Sequence, residues 1–212
     1  KSFPLKIIVL SNFQKNYLEN LGIKNTKIST LPNPIDIAPE HISNYNSEGT
    51  TVIFAGRLVE TKGVEEILKI WNKIDTKNLT LEIVGPSNGN NNLFVKYGSN
   101  KIKFTGELNN NEVKRKIKTS RAVITATKLL EGQPRVLLEA SSYGVPSIYP
   151  NFGGMNEFFP SDYKLSFNQF NYDDLEKKIL MLHNTKLLSD ESKEITKHLT
   201  SNYTEEILYR RF

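Results

Sequence analysis

Residues 51–86 read TVIFAGRLVETKGVEEILKIWNKIDTKNLTLEIVGP, and this stretch decides the fold. Thr51–Ala55 is a short apolar run with β-branched residues, the composition of a strand buried on both faces. Gly63–Ile74 puts Val64, Ile67, Leu68 and Trp71 on one face at helical spacing. Leu79–Val84 is a second strand, ended by Gly85-Pro86. Strand, helix, strand in so few residues is a right-handed crossover between parallel neighbours. The rhythm continues downstream. Strands are predicted at Ile102–Phe104, Ala122–Thr125 and Ser147–Tyr149, and helices at Asn111–Lys118, Pro134–Tyr143, Asp173–Leu182, Ser189–Leu199 and Thr204–Arg210, with Ser87–Asn92 a loop. This alternation predicts an α/β chain built on a doubly wound, mostly parallel sheet. Upstream, Lys6–Leu10 reads as a strand, Asn12–Leu21 as a helix ended by Gly22, and Lys27–Leu31 as a strand stopped by Pro32-Asn33-Pro34. Ile35–Thr50 is polar and without period, and reads as a linker.

Bulk properties narrow the class. The chain has 212 residues, 38% hydrophobic and 24% charged, enough for one large domain or one domain plus a piece of another. It has no cysteine, which excludes a disulfide framework and a thiolate metal site. No apolar run approaches the roughly 20 residues of a membrane helix, and Ile7–Leu10 is too short for a signal peptide. The first residue is not Met, so the chain is expected to be a trimmed piece. A net charge of +5 suits phosphorylated ligands, nucleic acid or an acidic membrane surface. The densest basic run, Lys114–Arg115–Lys116 with Lys118, surrounds Ile117 on an amphipathic helix and reads as a solvated face. No nucleic-acid module signature is present.

Open parallel sheets bind ligands beyond the carboxyl ends of their strands, and the chemically suggestive residues follow strands. In Glu131–Ala140, EGQPRVLLEA, Glu131 precedes the helix, Pro134 suits its first turn, and Glu139 lies in the second. A helix start offers free N–H groups and a positive dipole end, a natural anion seat between two carboxylates able to grip hydroxyls. The plain alternative is a solvated Arg135–Glu139 pair and an ordinary loop acid. Gly56, Arg57 and Lys62 follow the strand 51–55. Gly56 allows close backbone approach, Arg57 a bidentate phosphate contact and Lys62 a point charge, against the alternative of surface cations beside a turn. Gly153-Gly154 follows another strand and can form an anion nest near Glu157, or be a simple turn. Gly85-Pro86-Ser87 is a weaker candidate. There is no GxGxxG and no Walker A sequence. His41 lies in the linker, and His183 and His198 on helices, away from acids at metal-ligand spacing. Ser141 and Ser142 are inside a helix rather than on a GxSxG elbow.

Taken in order, FAGRLVETKG (54–63), LEIVGP (81–86), IKFTG (102–106), EGQPRVLLEASSYGVPSI (131–148) and FGGMNEFF (152–159) resemble the group 1 (family 4) retaining glycosyltransferases of GT-B fold. The earlier VLSNFQKNYLENLGI and LPNPID resemble the end of that family's N-terminal domain, and TEEILYRRF its closing helix. The resemblance implies a Rossmann-like donor domain, the C-terminal half of a GT-B fold, with a remnant of the N-terminal half. It divides the chain into residues 1–35 (end of the acceptor domain), 36–50 (linker), 51–200 (nucleotide-sugar donor domain) and 201–212 (closing helix).

It also implies roles. Arg57 and Lys62 would hold the donor diphosphate and stabilise the leaving group, and Glu131 would contact the donor sugar near its reacting face; these three carry the catalytic assignment. Gly132, Gln133 and Pro134 would shape the binding loop, Glu139 would take the ribose, Gly56, Gly153 and Gly154 would let backbone approach the donor, and Glu157 would steady the last loop. No metal and no cofactor are expected, because Arg and Lys supply the neutralising charge. The expected partners are a nucleotide sugar and a glycan or lipid-linked acceptor, without nucleic acid, in a cytoplasmic protein peripheral to the inner face of the membrane and serving cell-surface polysaccharide or lipopolysaccharide synthesis. A non-catalytic nucleotide-sugar-binding module that needs a partner domain is the alternative. A sugar-nucleotide epimerase shares the fold but not the EGQPRVLLE pattern.

Overall fold

The computed structural model describes residues 5–35, 45–87 and 92–211. A small unit comes first: strand β1 (Ile7–Val9), helix α1 (Asn12–Asn20) and strand β2 (Ile28–Thr30), the two strands parallel. Ser11 caps α1 by accepting from the Gln14 amide at 3.2 Å. The main unit runs β3 (Thr51–Ala55), α2 (Val64–Lys73), β4 (Thr80–Val84), α3 (Asn92–Tyr97), β5 (Ile102–Gly106), α4 (Asn110–Thr119), β6 (Ala122–Ile124), α5 (Arg135–Ser142), β7 (Ser147–Asn151), β8 (Ser166–Asn168), α6 (Tyr172–Met181), α7 (Thr185–Asn202) and α8 (Glu205–Arg211).

Six strands pair in the order β5-β4-β3-β6-β7-β8, all parallel. The chain therefore leaves β3 in one direction, returns, and leaves β6 in the other. The switch point lies between the carboxyl ends of β3 and β6, where such sheets build ligand crevices. Val52, Ile53, Phe54, Leu81, Ile83, Val123 and Ile124 are buried, as strands covered on both faces require. Val64, Ile67, Leu68 and Trp71 close one layer over them. No described helix is long and apolar enough to cross a membrane.

Differences from the sequence reading have physical causes. Residues 88–91 lie outside the described ones, but Asn92 opens α3, a short helix whose polar start hides its period. β8 was not foreseen: it is three residues long and at the sheet edge. Pro134 caps α5 from extended backbone (ψ 118°) instead of occupying its first turn. His183 falls in the turn after α6 and not on a helix; His41 lies outside the described residues. Of the linker, 36–44 is outside them too. Its end is bound tightly: the buried Arg121 guanidinium donates to the carbonyls of Ser47, Gly49 and Leu182, and the Tyr45 hydroxyl donates to the Arg121 carbonyl at 2.6 Å.

α3 is fastened to α2 by Glu65, whose carboxylate accepts from Lys96 Nζ at 2.9 Å and Tyr97 Oη at 2.8 Å. The Lys96 and then the Tyr97 hydrogen bond draw its pKa down from 4.5 to about 2. A depressed carboxylate stabilises the fold above its ordinary pKa and ceases to do so as pH falls toward the folded value. The melting temperature of the wild type is therefore expected to exceed that of Glu65→Gln at pH 6, with the gap closing as pH falls from 4.5 toward 2. A gap independent of pH would show that the ionised carboxylate contributes nothing.

Candidate functional site

A glycine ends or directly follows each of three neighbouring strands. The Gly56 amide donates to the Val84 carbonyl at 2.9 Å, and the Gly85 amide to the Gly106 carbonyl at 2.9 Å. These bonds lock the turns after β3, β4 and β5 into one floor. Gly85 has φ +144°, and a β-carbon there would stand 1.9 Å from the Gly56 carbonyl oxygen, so the floor closes only without side chains. Beside it opens a cavity of about 700 Å³ lined by Leu58, Gly85, Pro86, Phe94, Gly106 and Glu107, among others. In sequence Gly85-Pro86-Ser87 is only a weak candidate, and neither Glu107 nor Phe94 stands out. The available signal was the recurrence of glycine after successive strands.

The β3 loop carries Arg57 and then a single 3₁₀ turn, Glu60–Lys62, ended by Gly63 in the left-handed region. That turn aims Lys62 across the switch point. Its ammonium pairs with Glu131 Oε1 at 2.5 Å, both side chains only about a quarter exposed. Thr127, absent from the sequence-based set, stands 3.4 Å from the same carboxylate oxygen and 3.4 Å from the Thr61 carbonyl. The Lys128 amide donates to the Thr61 carbonyl at 2.8 Å, and Lys128 Nζ pairs with Glu66 at 2.8 Å. The loops after β3 and β6 are thus stitched together, with Lys62 and Glu131 at the seam.

Glu131 leads into α5. Pro134 provides no side-chain cap, and among the described residues nothing accepts from the amides of Arg135 and Val136. The anion seat expected at this helix start is therefore open. Glu139 lies one turn in, with Arg135 Nη2 at 3.7 Å from its Oε1. Arg57 is exposed and makes no side-chain hydrogen bond or ion pair among the described residues, next to the cavity-lining Leu58. Arg57→Ala should accordingly leave the melting temperature within about 2 °C, as surface changes do, while lowering the affinity for an inorganic or nucleoside diphosphate about tenfold. Equal affinity of the two proteins would remove Arg57 from the site.

Other expected residues have partners of a different kind. The Gln133 amide is buried and clamps the backbone of Asn33, accepting from its N–H at 2.7 Å and donating to its carbonyl at 3.2 Å. Gly153 takes φ +69°, but the Gly154 amide already donates to the Glu131 carbonyl at 2.9 Å, so the pair is not an open nest. A 3₁₀ turn, Met155–Phe158, follows. Both Glu157 oxygens are taken, accepting from the amides of Asn12 and Phe13 at 2.7 Å each. α1 approaches closely at Gly132 and Gly154: a β-carbon would lie 2.5 Å from the movable end of the Gln14 side chain in the first, and 2.4 Å from Ser11 Oγ and 2.5 Å from the Gly132 carbonyl oxygen in the second. His183 and His198 have buried Nε2 atoms without partners, and burial lowers the pKa of each. Among the described residues no three acids or histidines group as metal ligands.

Known proteins resemble this chain in sequence and in fold. The family model described as glycosyl transferases group 1 matches residues 40–200. The amylovoran biosynthesis glycosyltransferase AmsD of Erwinia amylovora is 28% identical over 153 residues, 68% of this chain and 42% of that protein. An uncharacterised 41.2 kDa protein in the cps region of Klebsiella pneumoniae is 24% identical over 206 residues, 92% of this chain and 56% of that one. The chain thus spans about half the length of the curated relatives it matches. Among solved structures, Anabaena HepE in complex with UDP and glucose superposes with a TM-score of 0.80 at 15% identity, over 97% of this chain and 61% of that one.

Proposed function

Since the chain belongs to the group 1 glycosyl transferases, we propose that it supplies the donor side of a retaining glycosyltransferase that takes a sugar from a nucleoside diphosphate. The observation that carries this reading is the Lys62–Glu131 pair at the switch point, beside the open start of α5. The cationic Lys62 and Arg57 and the free amides of Arg135 and Val136 suit a diphosphate. Lys62 is held by Glu131; on this reading the donor phosphates compete for its ammonium, and the Glu131 carboxylate faces the sugar. The cavity bounded by Gly106 and Glu107 suits the base, and Glu139 the ribose hydroxyls.

Transfer breaks the bond between the anomeric carbon and the diphosphate oxygen, and the acceptor hydroxyl oxygen bonds to that carbon from the same face. Negative charge grows on the leaving diphosphate, where Arg57, Lys62 and the helix start would stabilise it. Positive charge grows on the sugar, where Glu131 stands. The acceptor proton passes to a phosphate oxygen. Charge neutralisation by fixed side chains makes a divalent ion dispensable in this scheme. The acceptor class we infer is a growing cell-surface polysaccharide, in line with the names of AmsD and the cps-region protein. A second reading, binding without transfer, is favoured by one observation: all these groups lie in the six-stranded unit, and none is assigned to an acceptor.

Amide shift mapping tests the assignment. Adding UDP, GDP or ADP should move the resonances of Gly56, Gly106, Glu107, Glu131, Arg135 and Val136 and spare His183. Shifts confined to the far, amino-terminal end of the sheet would overturn it.

A further inference from the structure

We propose that Glu157 is a positioning residue, a latch that holds the first unit against the two loops of the candidate site. Asn12 and Phe13 open α1, and their amides have no acceptor within the helix. Ser11 caps the Gln14 amide and the Ser11 carbonyl takes that of Lys15, which leaves the first two N–H groups to be satisfied from elsewhere. Glu157, 145 residues away in sequence from Asn12, meets both with one carboxylate, Oε2 on Asn12 and Oε1 on Phe13, each at 2.7 Å. A negative group at a helix start is also favoured by the helix dipole.

The contact does not stand alone. Glycines at 132 and 154 let Gln14 and Ser11 come closer than any β-carbon would allow. The Gln133 amide clamps Asn33 just beyond β2. The Tyr203 hydroxyl donates to the Glu157 carbonyl, and the Tyr203 carbonyl accepts from the Ile35 amide at 2.9 Å. The start of α1 therefore packs against both the Glu131 loop and the Gly153-Gly154 loop, and Glu157 fixes it there. A carboxylate so engaged is not a donor ligand. Its work is to set how the first unit faces the donor groups, and for that consequence the inference rests on the donor-site reading.

Glu157→Gln keeps the size of the side chain but replaces one acceptor with an NH₂ group, which cannot face an amide N–H. In this variant the exchange rates of the Asn12 and Phe13 amides should rise about tenfold or more. Those of Ile53 and Phe54 in β3 should stay the same. Affinity for UDP, GDP or ADP, whichever binds best, should remain within about threefold of wild type, whereas Lys62→Ala should lose far more. Glu157→Asp keeps the charge but cannot reach both amides. It should also speed their exchange, and it decides the matter if Glu157→Gln does not fold. Unchanged exchange at Asn12 and Phe13 overturns the latch. So does a loss of nucleotide affinity as large as that of Lys62→Ala. If the wild type binds no nucleotide at all, the donor-site reading fails while the exchange rates still decide whether Glu157 is a latch.

Discussion

Lys62→Ala is expected to weaken nucleoside diphosphate binding by roughly ten- to a hundredfold, the equivalent of about 1.5–3 kcal/mol for a lost charge-assisted contact. Two effects add. The ammonium that would meet the phosphates is gone. The Glu131 carboxylate, about a fifth exposed and already 3.4 Å from Thr127 Oγ1, is left facing an incoming dianion without a cation between them. Stability should change far less, because the pair is partly solvated and pairs of that kind contribute about 1 kcal/mol or less. Titration calorimetry beside a thermal melt separates the two. A variant that melts like the wild type and binds as well would exclude Lys62 from phosphate capture. A variant that merely unfolds would assign the pair to structure.

Gly63→Ala is expected to have the largest effect on the fold. Gly63 sits at φ +66°, a region that costs an L-residue about 1–2 kcal/mol. Its β-carbon would also lie 1.9 Å from the Ala126 carbonyl oxygen and 2.5 Å from its carbon, both backbone atoms. Ala126 is buried and leads from β6 into the Thr127 loop, so the clash has no flexible group to absorb it. The loops after β3 and β6 must part, which also breaks the Lys128 amide bond to Thr61 and separates Lys62 from Glu131. A loss of at least about 3 kcal/mol, or roughly 6–12 °C in melting temperature, follows for a chain of this size. Gly106→Ala is the matched control. Its φ is +73°, but nothing lies within 4 Å of the added carbon, so only the backbone cost of about 1–2 kcal/mol remains. Equal melting of the two variants would show that the approach to Ala126 is not tight.

These two residues also show what a sequence can reveal. The β3–α2–β4 unit was legible because its buried strands and the apolar face at Val64, Ile67, Leu68 and Trp71 are set by period alone. The parallel sheet followed from the alternation, and with it the rule that ligands gather at strand ends. Lys62 and Glu131 could be named individually because each follows a strand. That they touch could not be known, since it depends on β6 lying next to β3, a pairing between strands distant in the chain. The same limit hid Thr127, whose hydroxyl matters only once the two loops meet. Gln133 and Glu157 are expected as donor-site residues from the sequence, yet their side chains serve α1 and the segment after β2, contacts that span 100 residues or more. Family resemblance named the loops; packing decided which way each side chain was used.

On the proposed function, the seam between β3 and β6 captures a nucleoside diphosphate. Titration calorimetry of this chain with UDP, GDP and ADP, each with magnesium and each with a chelator, tests it most directly. Saturable binding with preference for one base is expected, retained in the chelator and lost in the Lys62→Ala, Arg57→Ala double variant. Absence of binding to all three, or binding that the double variant keeps, would contradict it.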